Sequence, residues 1–193
     1  MKKISILITT LSLISSLANA ASSSDKYIFD PTHTTATWSA SHFGFSNPTG
    51  KFSNIEGELM LDEKHPNKSS VSVKINVAGI NTANEKFDNH LKSEDFFNVK
   101  KFSTANFLSK KIVITGKNTA KVYGDLTFMG VSKEIILNVK LNKIGINPIV
   151  NKKTAGFSAN TTIKRSDFGI NYALPAIADE VKISIEAEAN LSE

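Results

Sequence analysis

Residues 181–191 read Val-Lys-Ile-Ser-Ile-Glu-Ala-Glu-Ala-Asn-Leu, a strict alternation of apolar and polar side chains. Successive side chains of a β-strand point to opposite faces, so the apolar residues of this segment all share one face. A strand with one apolar and one polar face is typical of an antiparallel sheet. The stretch therefore predicts an all-β fold.

The same period of two recurs along most of the chain. Turn-forming pairs such as Asn47-Pro48, Met129-Gly130 and Asn147-Pro148 separate the alternating segments. About eight strands at near-regular spacing predict either a closed antiparallel barrel or a sandwich, and alternation alone does not separate the two. The further alternating segments lie at residues 35–42, 55–61, 70–77, 121–128, 135–141 and 155–163.

One segment departs from the alternation and predicts a short helix near residues 83–94. Thr82-Ala83-Asn84-Glu85 matches a capping box, with Thr82 as the N-cap and Glu85 at the third helical position. Phe87, His90 and Leu91 then follow a helical spacing. Such a helix either covers one mouth of a barrel or packs on the outside of the sheet.

The N-terminus has the plan of a secretory signal peptide, which predicts export to the periplasm. Lys2 and Lys3 form a basic region, residues 4–17 are largely apolar, and Ala18-Asn19-Ala20 is a small-x-small cleavage site. The apolar run is shorter than the roughly 20 residues that span a bilayer. Removing residues 1–20 from the 193-residue chain leaves 173 residues, so we expect one domain at residues 21–193.

Composition and missing motifs argue against several classes of function. The chain has no cysteine, which rules out disulfides, thiol nucleophiles and thiolate metal sites. The net charge of +5 falls to about +3 without Lys2 and Lys3, so no nucleic-acid partner is predicted, although transient contact with an anionic membrane surface fits. We found no nucleophile elbow, phosphate loop or zinc-binding helix motif, so we predict no enzymatic activity, no cofactor and no metal.

The residues predicted to face inward raise the question of whether the interior is hollow. Eight of them are small, and small residues either leave volume for a ligand or let a tapering barrel pack. Phenylalanine dominates the aromatic residues, with 12 Phe against 3 Tyr and 1 Trp, which suits a dry wall around an alkyl or prenyl chain. The small residues are Ala36, Ala40, Gly57, Gly124, Ala155, Ala159, Ala187 and Ala189.

Two segments of the chain carry a recognisable signature: residues 88–97 read DNHLKSEDFF, and residues 124–133 read GDLTFMGVSK. The first is similar to the helix signature D-x-H-L-x-S-x-D-F-F, and the second to the G-x-L-T-x-x-G-V-T-K hairpin, of the YceI-like, polyisoprenoid-binding family of exported bacterial proteins. Further segments, in order along residues 27–190, resemble the same family. The other matching segments are Tyr27-Ile28-Phe29-Asp30-Pro31 with His33, Gly50-Lys51-Phe52, Ile55-Glu56-Gly57, Arg165-Ser166-Asp167-Phe168-Gly169-Ile170 and Asp179-Glu180-Val181.

This resemblance implies an extended, eight-stranded, lipocalin-like antiparallel barrel with a helix beside its mouth. Its lumen would hold a long isoprenoid or another long-chain amphiphilic lipid, such as a polyprenyl chain or the tail of a quinone. The sequence leaves open whether the protein forms a homodimer. The residues predicted to line the cavity are Trp38, Phe52, Leu91, Phe96, Phe97, Phe107, Leu126 and Phe157, and those predicted for its rim are His42, Asp88 and Arg165.

Each polar candidate also has a structural interpretation. Arg165 and Asp167 are two residues apart and would share one side of a strand, where Arg165 either meets a head group or latches the closing strands together. His42 is either a polar contact at one end of the lumen or a core histidine. Two rival functions remain: a hydrolase or isomerase acting on an amphiphile in the same cavity, and a ligand-free stress-response module.

Overall fold

The computed structural model describes residues 24–193 of the chain, so the predicted signal peptide at residues 1–20 lies outside the described residues. These residues form ten strand segments, one α-helix and three short 3₁₀ turns. The strands are β1 (Asp25–Phe29), β2 (Thr35–His42), β3 (Thr49–Phe52), β4 (Glu56–Leu61), β5 (Ser70–Asn76), β6 (Thr104–Ile114), β7 (Thr119–Phe128), β8 (Val131–Asn147), β9 (Lys152–Lys164) and β10 (Ile177–Leu191). The helix α1 is Glu85–Lys92, and the 3₁₀ turns are Pro66–Lys68, Val77–Gly79 and Arg165–Phe168.

All ten segments belong to one antiparallel sheet that closes on itself. From β4 to β10, neighbours in the sheet are neighbours in sequence, and β1 pairs with both β4 and β10. Phe29 lies opposite Ala189 on β10, and Tyr27 lies opposite Leu59 on β4. This closure confirms the predicted eight-stranded barrel over the sandwich, because a sandwich would leave the outer strands of each sheet unpaired.

Ten segments make eight strands because two strands of the barrel are interrupted. β1 and β2 follow each other along the same edge of β10, and β3 and β4 follow each other along the edge of β1 and β2. The first interruption contains Pro31, which has no N–H to give to a ladder. The second contains Asn54, whose positive φ of 56° turns the chain out of the extended conformation.

The two ends of the barrel carry different structures. The end that we call the helix end bears α1, the tight turn at Met129-Gly130 and the 3₁₀ turn at Arg165–Phe168. The opposite end, called here the distal end, bears the turns at residues 62–69, 115–118 and 148–151. Along residues 24–193 the structure has no helix of the length and apolar character needed to cross a membrane.

The helix lies inside the predicted range, but its predicted N-cap was wrong. The Asn84 side chain, not that of Thr82, accepts the hydrogen bond from the Phe87 backbone N–H, at 3.1 Å. Ala83 has a positive φ of 61°, so the helical conformation cannot begin as early as a Thr82 cap requires. Thr82 instead donates from its hydroxyl to the Asp88 carboxylate at 2.6 Å, one turn into the helix.

The prediction that Arg165 and Asp167 share one side of a strand was also wrong. β9 ends at Lys164, and both residues belong to the 3₁₀ turn Arg165–Phe168. Gly169 closes this turn with a positive φ of 81°, a conformation that glycine adopts without steric cost. A 3₁₀ turn has three residues per turn, so side chains two residues apart diverge instead of sharing a face.

Candidate ligand-binding site

The interior of the barrel is apolar and divides into three clusters of packed side chains. At the helix end, Trp38, Leu91, Phe96 and Phe97 are buried together, with Phe52 packed against them. Phe107 and Leu126 belong to a second cluster on the β6–β7 wall. Phe157 packs against the third, which lies toward the distal end. The eight side chains predicted to line the cavity therefore all lie in the interior clusters, but they are spread along the length of the barrel.

The helix and the residues that follow it cover the helix end. Leu91 is the buried residue of α1, and its carbonyl accepts a hydrogen bond from the Phe97 N–H at 3.0 Å, which folds the chain back under the helix. The Phe97 ring then lies 5.4 Å from that of Phe128 and 6.0 Å from that of Phe52. These spacings are typical of packed aromatic pairs. The sequence left two positions for the helix, over one mouth of the barrel or on the outside of the sheet. In the structure it covers the mouth.

The β6–β7 wall is densely packed. Phe107 and Leu126 lie directly opposite each other across the two strands, and both are buried. Val122 is buried on the same face. This wall has little unfilled space beside it.

The inward apolar side chains of three other strands are less buried. They belong to β5 and β8, which flank the β6–β7 wall, and to β10, which pairs with neither β6 nor β7. Most of these side chains remain only partly buried, although they point into the barrel and alternate with exposed outward residues. Side chains that face inward and still keep accessible surface border unfilled volume, since a filled interior would bury them completely. These residues include Val71, Val73, Ile75, Ile135, Leu137, Val139, Ile183 and Ile185.

Trp38 is the one described residue with a buried side-chain polar atom that lacks a hydrogen-bond partner, and that atom is its indole Nε1. The residue is 9% exposed and points inward from β2. Its indole lies flat over Gly50 on β3, where a Cβ would come within 2.8 Å of Nε1. Glycine at position 50 is thus what makes room for the ring.

Of the three rim candidates, Arg165 is the most deeply buried, at 5% exposure. Its guanidinium donates from Nε to the carbonyl of Ala178, and from its two terminal nitrogens to the carbonyls of Ile170 and Ile177, all at 2.9–3.0 Å. Burial lowers the pKa of Arg165, and nearby Asp179 acts in the opposite direction. These three hydrogen bonds tie Ile170, in the loop before β10, to Ile177 and Ala178 at the start of β10, so Arg165 holds that loop against the barrel.

Asp179 is held by the same turn, but not by a hydrogen bond from Arg165. Its carboxylate accepts hydrogen bonds from the backbone N–H and the hydroxyl of Ser166, at 2.9 and 2.8 Å. Burial raises the pKa of this carboxyl, but the hydrogen bonds from Ser166 and the charges of Arg165 and Lys164 outweigh it, so the net pKa lies below the usual value. Asp179 thus belongs to a hydrogen-bonded turn, and the charge of Arg165 acts on it from nearby.

The other two rim candidates lie apart from the apolar clusters. His42 ends β2 and is exposed, with its ring edge-on to Phe43 at 4.5 Å. Asp88 accepts hydrogen bonds from the backbone N–H and the hydroxyl of Thr82, so its carboxylate stabilises the first turn of the helix. Both residues are at the helix end of the barrel.

Sequence reasoning missed two residues that shape the helix end. Phe168, 2% exposed, inserts from the 3₁₀ turn into the cluster of Phe107 and Leu126, and its ring is 6.0 Å from that of Phe128. No periodicity could identify it, because it belongs to a turn. Phe87 lies edge-on to Trp38, with ring centroids 6.2 Å apart, and its helical spacing with Leu91 was the available signal.

The outer surface carries two grooves that contrast with the interior. The larger, about 360 Å³, is lined by outward polar side chains of β7–β10 such as Asn138, Asn160 and Glu186. Asn138 and Asn160 bond to each other, and Ser158 bonds to Glu186. A groove lined by self-paired polar groups does not suit an apolar ligand. No group of three or more potential metal ligands occurs within residues 24–193.

The fold and its interior define the class: a closed antiparallel β-barrel with an apolar, partly unfilled interior. The model of the YceI-like domain matches residues 27–189, and the chain belongs to that family, which confirms the resemblance seen in the sequence. Similar proteins include a UPF0312 protein of Ectopseudomonas mendocina (strain ymp), 35% identical over 81% of each chain. A UPF0312 protein of Pectobacterium carotovorum subsp. carotovorum is 33% identical over 97% of each chain.

Solved structures with the same fold extend the comparison. The Campylobacter jejuni YCEI protein is 33% identical, with a TM-score of 0.69 over 79% of this chain and 90% of that one. Burkholderia cenocepacia BcnA, at 22% identity, has a TM-score of 0.75 over 83% and 98% of the two chains. A domain from Saccharophagus degradans, described as polyisoprenoid-binding, is 15% identical, with a TM-score of 0.65 over 86% and 98%. At 22% and 15% identity, the similarities to BcnA and to the Saccharophagus degradans domain show a shared fold and nothing further.

Proposed function

We propose that this protein binds a long isoprenoid lipid, of the polyprenyl or isoprenoid-quinone type, inside the barrel and sequesters or transports it in the periplasm. The observation that carries the proposal is the partial burial of inward apolar side chains on β5, β8 and β10, which indicates unfilled volume inside the barrel. Only an apolar ligand would gain by filling that space, since water finds too few hydrogen-bond partners there. The Saccharophagus degradans neighbour, described as a polyisoprenoid-binding domain, supports this ligand class.

The energetics suit a chain that is held by its tail. Burying one CH₂ group contributes about 0.8 kcal/mol, so a five-carbon isoprene unit contributes roughly 3–4 kcal/mol. A few units therefore reach useful affinity without a strongly bound head group. We expect the protein to select its ligand mainly by chain length and shape.

The arrangement of polar residues favours binding over catalysis. A general base in the lumen would have to come within hydrogen-bond reach of a substrate held by the clusters. His42, the histidine predicted to face inward, is instead exposed at the end of β2. Arg165 holds the loop before β10, and Asp88 stabilises the first turn of α1. A hydrolase or isomerase is therefore the weaker proposal.

The distal end offers a surface for transient contact with a membrane. The β8–β9 turn exposes Ile149 (89% exposed), with Ile146 and Val150 beside it. Lys143 and Lys152 flank this apolar tip on the two strands of the hairpin. Exposed aliphatic side chains beside lysines suit an anionic lipid surface, which is where a lipid carrier would have to load and release.

Native mass spectrometry of the mature protein, purified without detergent, tests the proposed function. We expect a mass increment of one prenyl or quinone molecule per chain, which solvent extraction then identifies. The same spectrum distinguishes monomer from homodimer. A folded protein that arrives empty and takes up no added isoprenoid would overturn the proposal and favour the ligand-free module.

A further inference from the structure

The buried indole Nε1 of Trp38, a residue of the helix-end cluster, has no hydrogen-bond partner. Its described neighbours in that cluster include Val77, Ile80, Leu91 and Phe87, none of which has a side-chain acceptor. The backbone on both sides is engaged as well, because Trp38 pairs with Gly50 on β3 and with Ile183 on β10. Indole has a single donor and no acceptor, and a buried donor without a partner is unfavourable.

Burial of an unpartnered donor in an apolar site indicates the place where a ligand supplies the acceptor. We propose that Trp38 Nε1 donates a hydrogen bond to a carbonyl oxygen of the bound lipid, which makes the ligand an isoprenoid with a neutral oxygenated head, such as an isoprenoid quinone. This inference rests on the proposed function, and it adds the head-group chemistry and the residue that recognises it.

The neighbourhood favours a carbonyl over a phosphate head. A phosphate requires several donors or positive charges, and the helix-end cluster provides one neutral donor. The buried guanidinium of Arg165 donates to three backbone carbonyls, one in the loop before β10 and two at the start of that strand. One donor in an apolar surround therefore fits one carbonyl oxygen.

The route to the indole passes Phe87. This ring stands edge-on to Trp38, is only partly buried and belongs to a helix of eight residues. Displacing Phe87 requires no change in the barrel strands, because the ring belongs to the covering helix. The carbonyl head would thus be held beneath α1, and the isoprenoid tail would extend into the barrel along the partly buried inward side chains of β5, β8 and β10.

The chain has a single tryptophan, so one indole N–H resonance reports on this contact directly. We would titrate the ¹⁵N-labelled mature protein with a menaquinone carrying a geranylgeranyl tail, and separately with squalene, an isoprenoid without oxygen. The menaquinone should shift the indole proton downfield, and squalene should not. In parallel, Trp38→Phe should weaken menaquinone binding about tenfold and change squalene binding by less than about twofold.

Phe52→Leu is the matched control, since it removes aromatic surface from the same cluster without changing a donor. Phe52→Leu should weaken the binding of menaquinone and of squalene to a similar extent. If the wild-type protein binds both ligands, but the indole proton does not shift and Trp38→Phe affects both equally, the hydrogen bond is overturned and the proposed function stands. If the wild-type protein binds neither, the proposed function itself fails. The chemical-shift measurement needs no variant, so it holds even if Trp38→Phe does not fold.

Discussion

The ring of Phe107 occupies the place where a side chain at Gly124 would begin. A Cβ at position 124 would lie 2.5 Å from Phe107 Cζ and 2.5 Å from the backbone oxygen of Leu108. The two residues are on neighbouring strands, β6 and β7, and both face the interior. Gly124 thus belongs to the dense packing of the β6–β7 wall and does not enlarge the lumen.

Replacing Gly124 with alanine should destabilise the barrel by about 1–3 kcal/mol, because neither the Phe107 ring nor the Leu108 carbonyl can move freely. Gly156→Ala is the matched control, since the nearest atom to its new Cβ would be 3.9 Å away, and it should be neutral or slightly stabilising. Urea unfolding followed by circular dichroism measures both. Equal stability of the two variants would contradict the packing seen around Gly124.

The fold could be predicted from the sequence because side-chain alternation reports directly on strands. The stripe at residues 181–191 lies within β10 (Ile177–Leu191), which makes the most pairings of any described strand, with β1, β2 and β9. Closure could not be derived from that pattern, because it depends on Phe29 meeting Ala189 across the ends of the chain. The family resemblance supplied what alternation could not.

The site was predictable only in its apolar part. Leu91, Phe96 and Phe97 were identifiable because a helical spacing followed by two phenylalanines implies burial over the mouth. The position of Arg165 in a turn could not be predicted, because its hydrogen bonds go to backbone carbonyls 5–13 residues away, which leave no pattern in the sequence. The unpaired Nε1 of Trp38 is likewise visible only once its neighbours are placed.

Arg165→Lys should show whether Arg165 stabilises the closing strands or binds the lipid head group. Lysine keeps the positive charge but cannot reach three carbonyls in the fixed fork of a guanidinium, so the free energy of unfolding should fall by about 2–4 kcal/mol. Lipid content per folded molecule should be unchanged. Lys164→Met, at the exposed neighbouring position, serves as the control and should affect neither. Lost lipid with unchanged stability would instead make Arg165 a head-group ligand.

The turn between β1 and β2 should respond to pH through Asp30 and His33. Hydrogen bonds from Thr32 and His33 lower the pKa of Asp30 to about 2, and the bond to Asp30 raises the pKa of His33 above 6.5. The lowered pKa makes Asp30 stabilising above pH about 4, an effect lost as pH falls toward 2. The raised pKa makes His33 stabilising below pH 6.5, an effect lost as pH rises through its folded value.

Asp30→Asn removes the carboxylate and should return the pKa of His33 toward 6.5. An NMR titration of the His33 ring protons measures that shift directly. Thr32→Val, which removes the hydroxyl that donates to Asp30 and contacts His33 Nδ1 at 3.0 Å but keeps the carboxylate, should raise the pKa of Asp30 and shift the His33 titration less than Asp30→Asn does. If His33 titrates identically in wild type and Asp30→Asn, the contact between the two side chains does not persist in solution.

Contact with membranes should depend on the tip of the β8–β9 hairpin. Ile149→Ser removes the most exposed aliphatic side chain there and should lower binding to anionic phosphatidylglycerol vesicles about tenfold. Ile136→Ser, on the outer face of the same strand pair, is the control and should bind like wild type. Sedimentation with vesicles measures both, and added salt should weaken the wild-type interaction. Equal loss in the two variants would remove the hairpin tip as the contact.

The interior position of Leu126 provides the most direct test of the lipid cavity. Leu126→Arg places an unpaired charge among Phe107, Val122 and Phe168, and should abolish lipid retention. Leu108→Arg makes the same change on the outer face of the adjacent strand, where Leu108 is 58% exposed, and should retain lipid. Circular dichroism checks that each variant is folded, and native mass spectrometry reads the bound lipid.

A second variant keeps this test decisive if Leu126→Arg does not fold. Val139 is a partly buried inward residue of β8 and lies between two small cross-strand partners, Ala120 on β7 and Ala159 on β9, so Val139→Trp can fill the lumen without a charge. We expect a folded barrel that has lost its lipid, because the indole would occupy volume that the isoprenoid needs. Lipid that still co-purifies at wild-type stoichiometry with folded Val139→Trp and folded Leu126→Arg would place the ligand outside the barrel and overturn the lumen as the binding site.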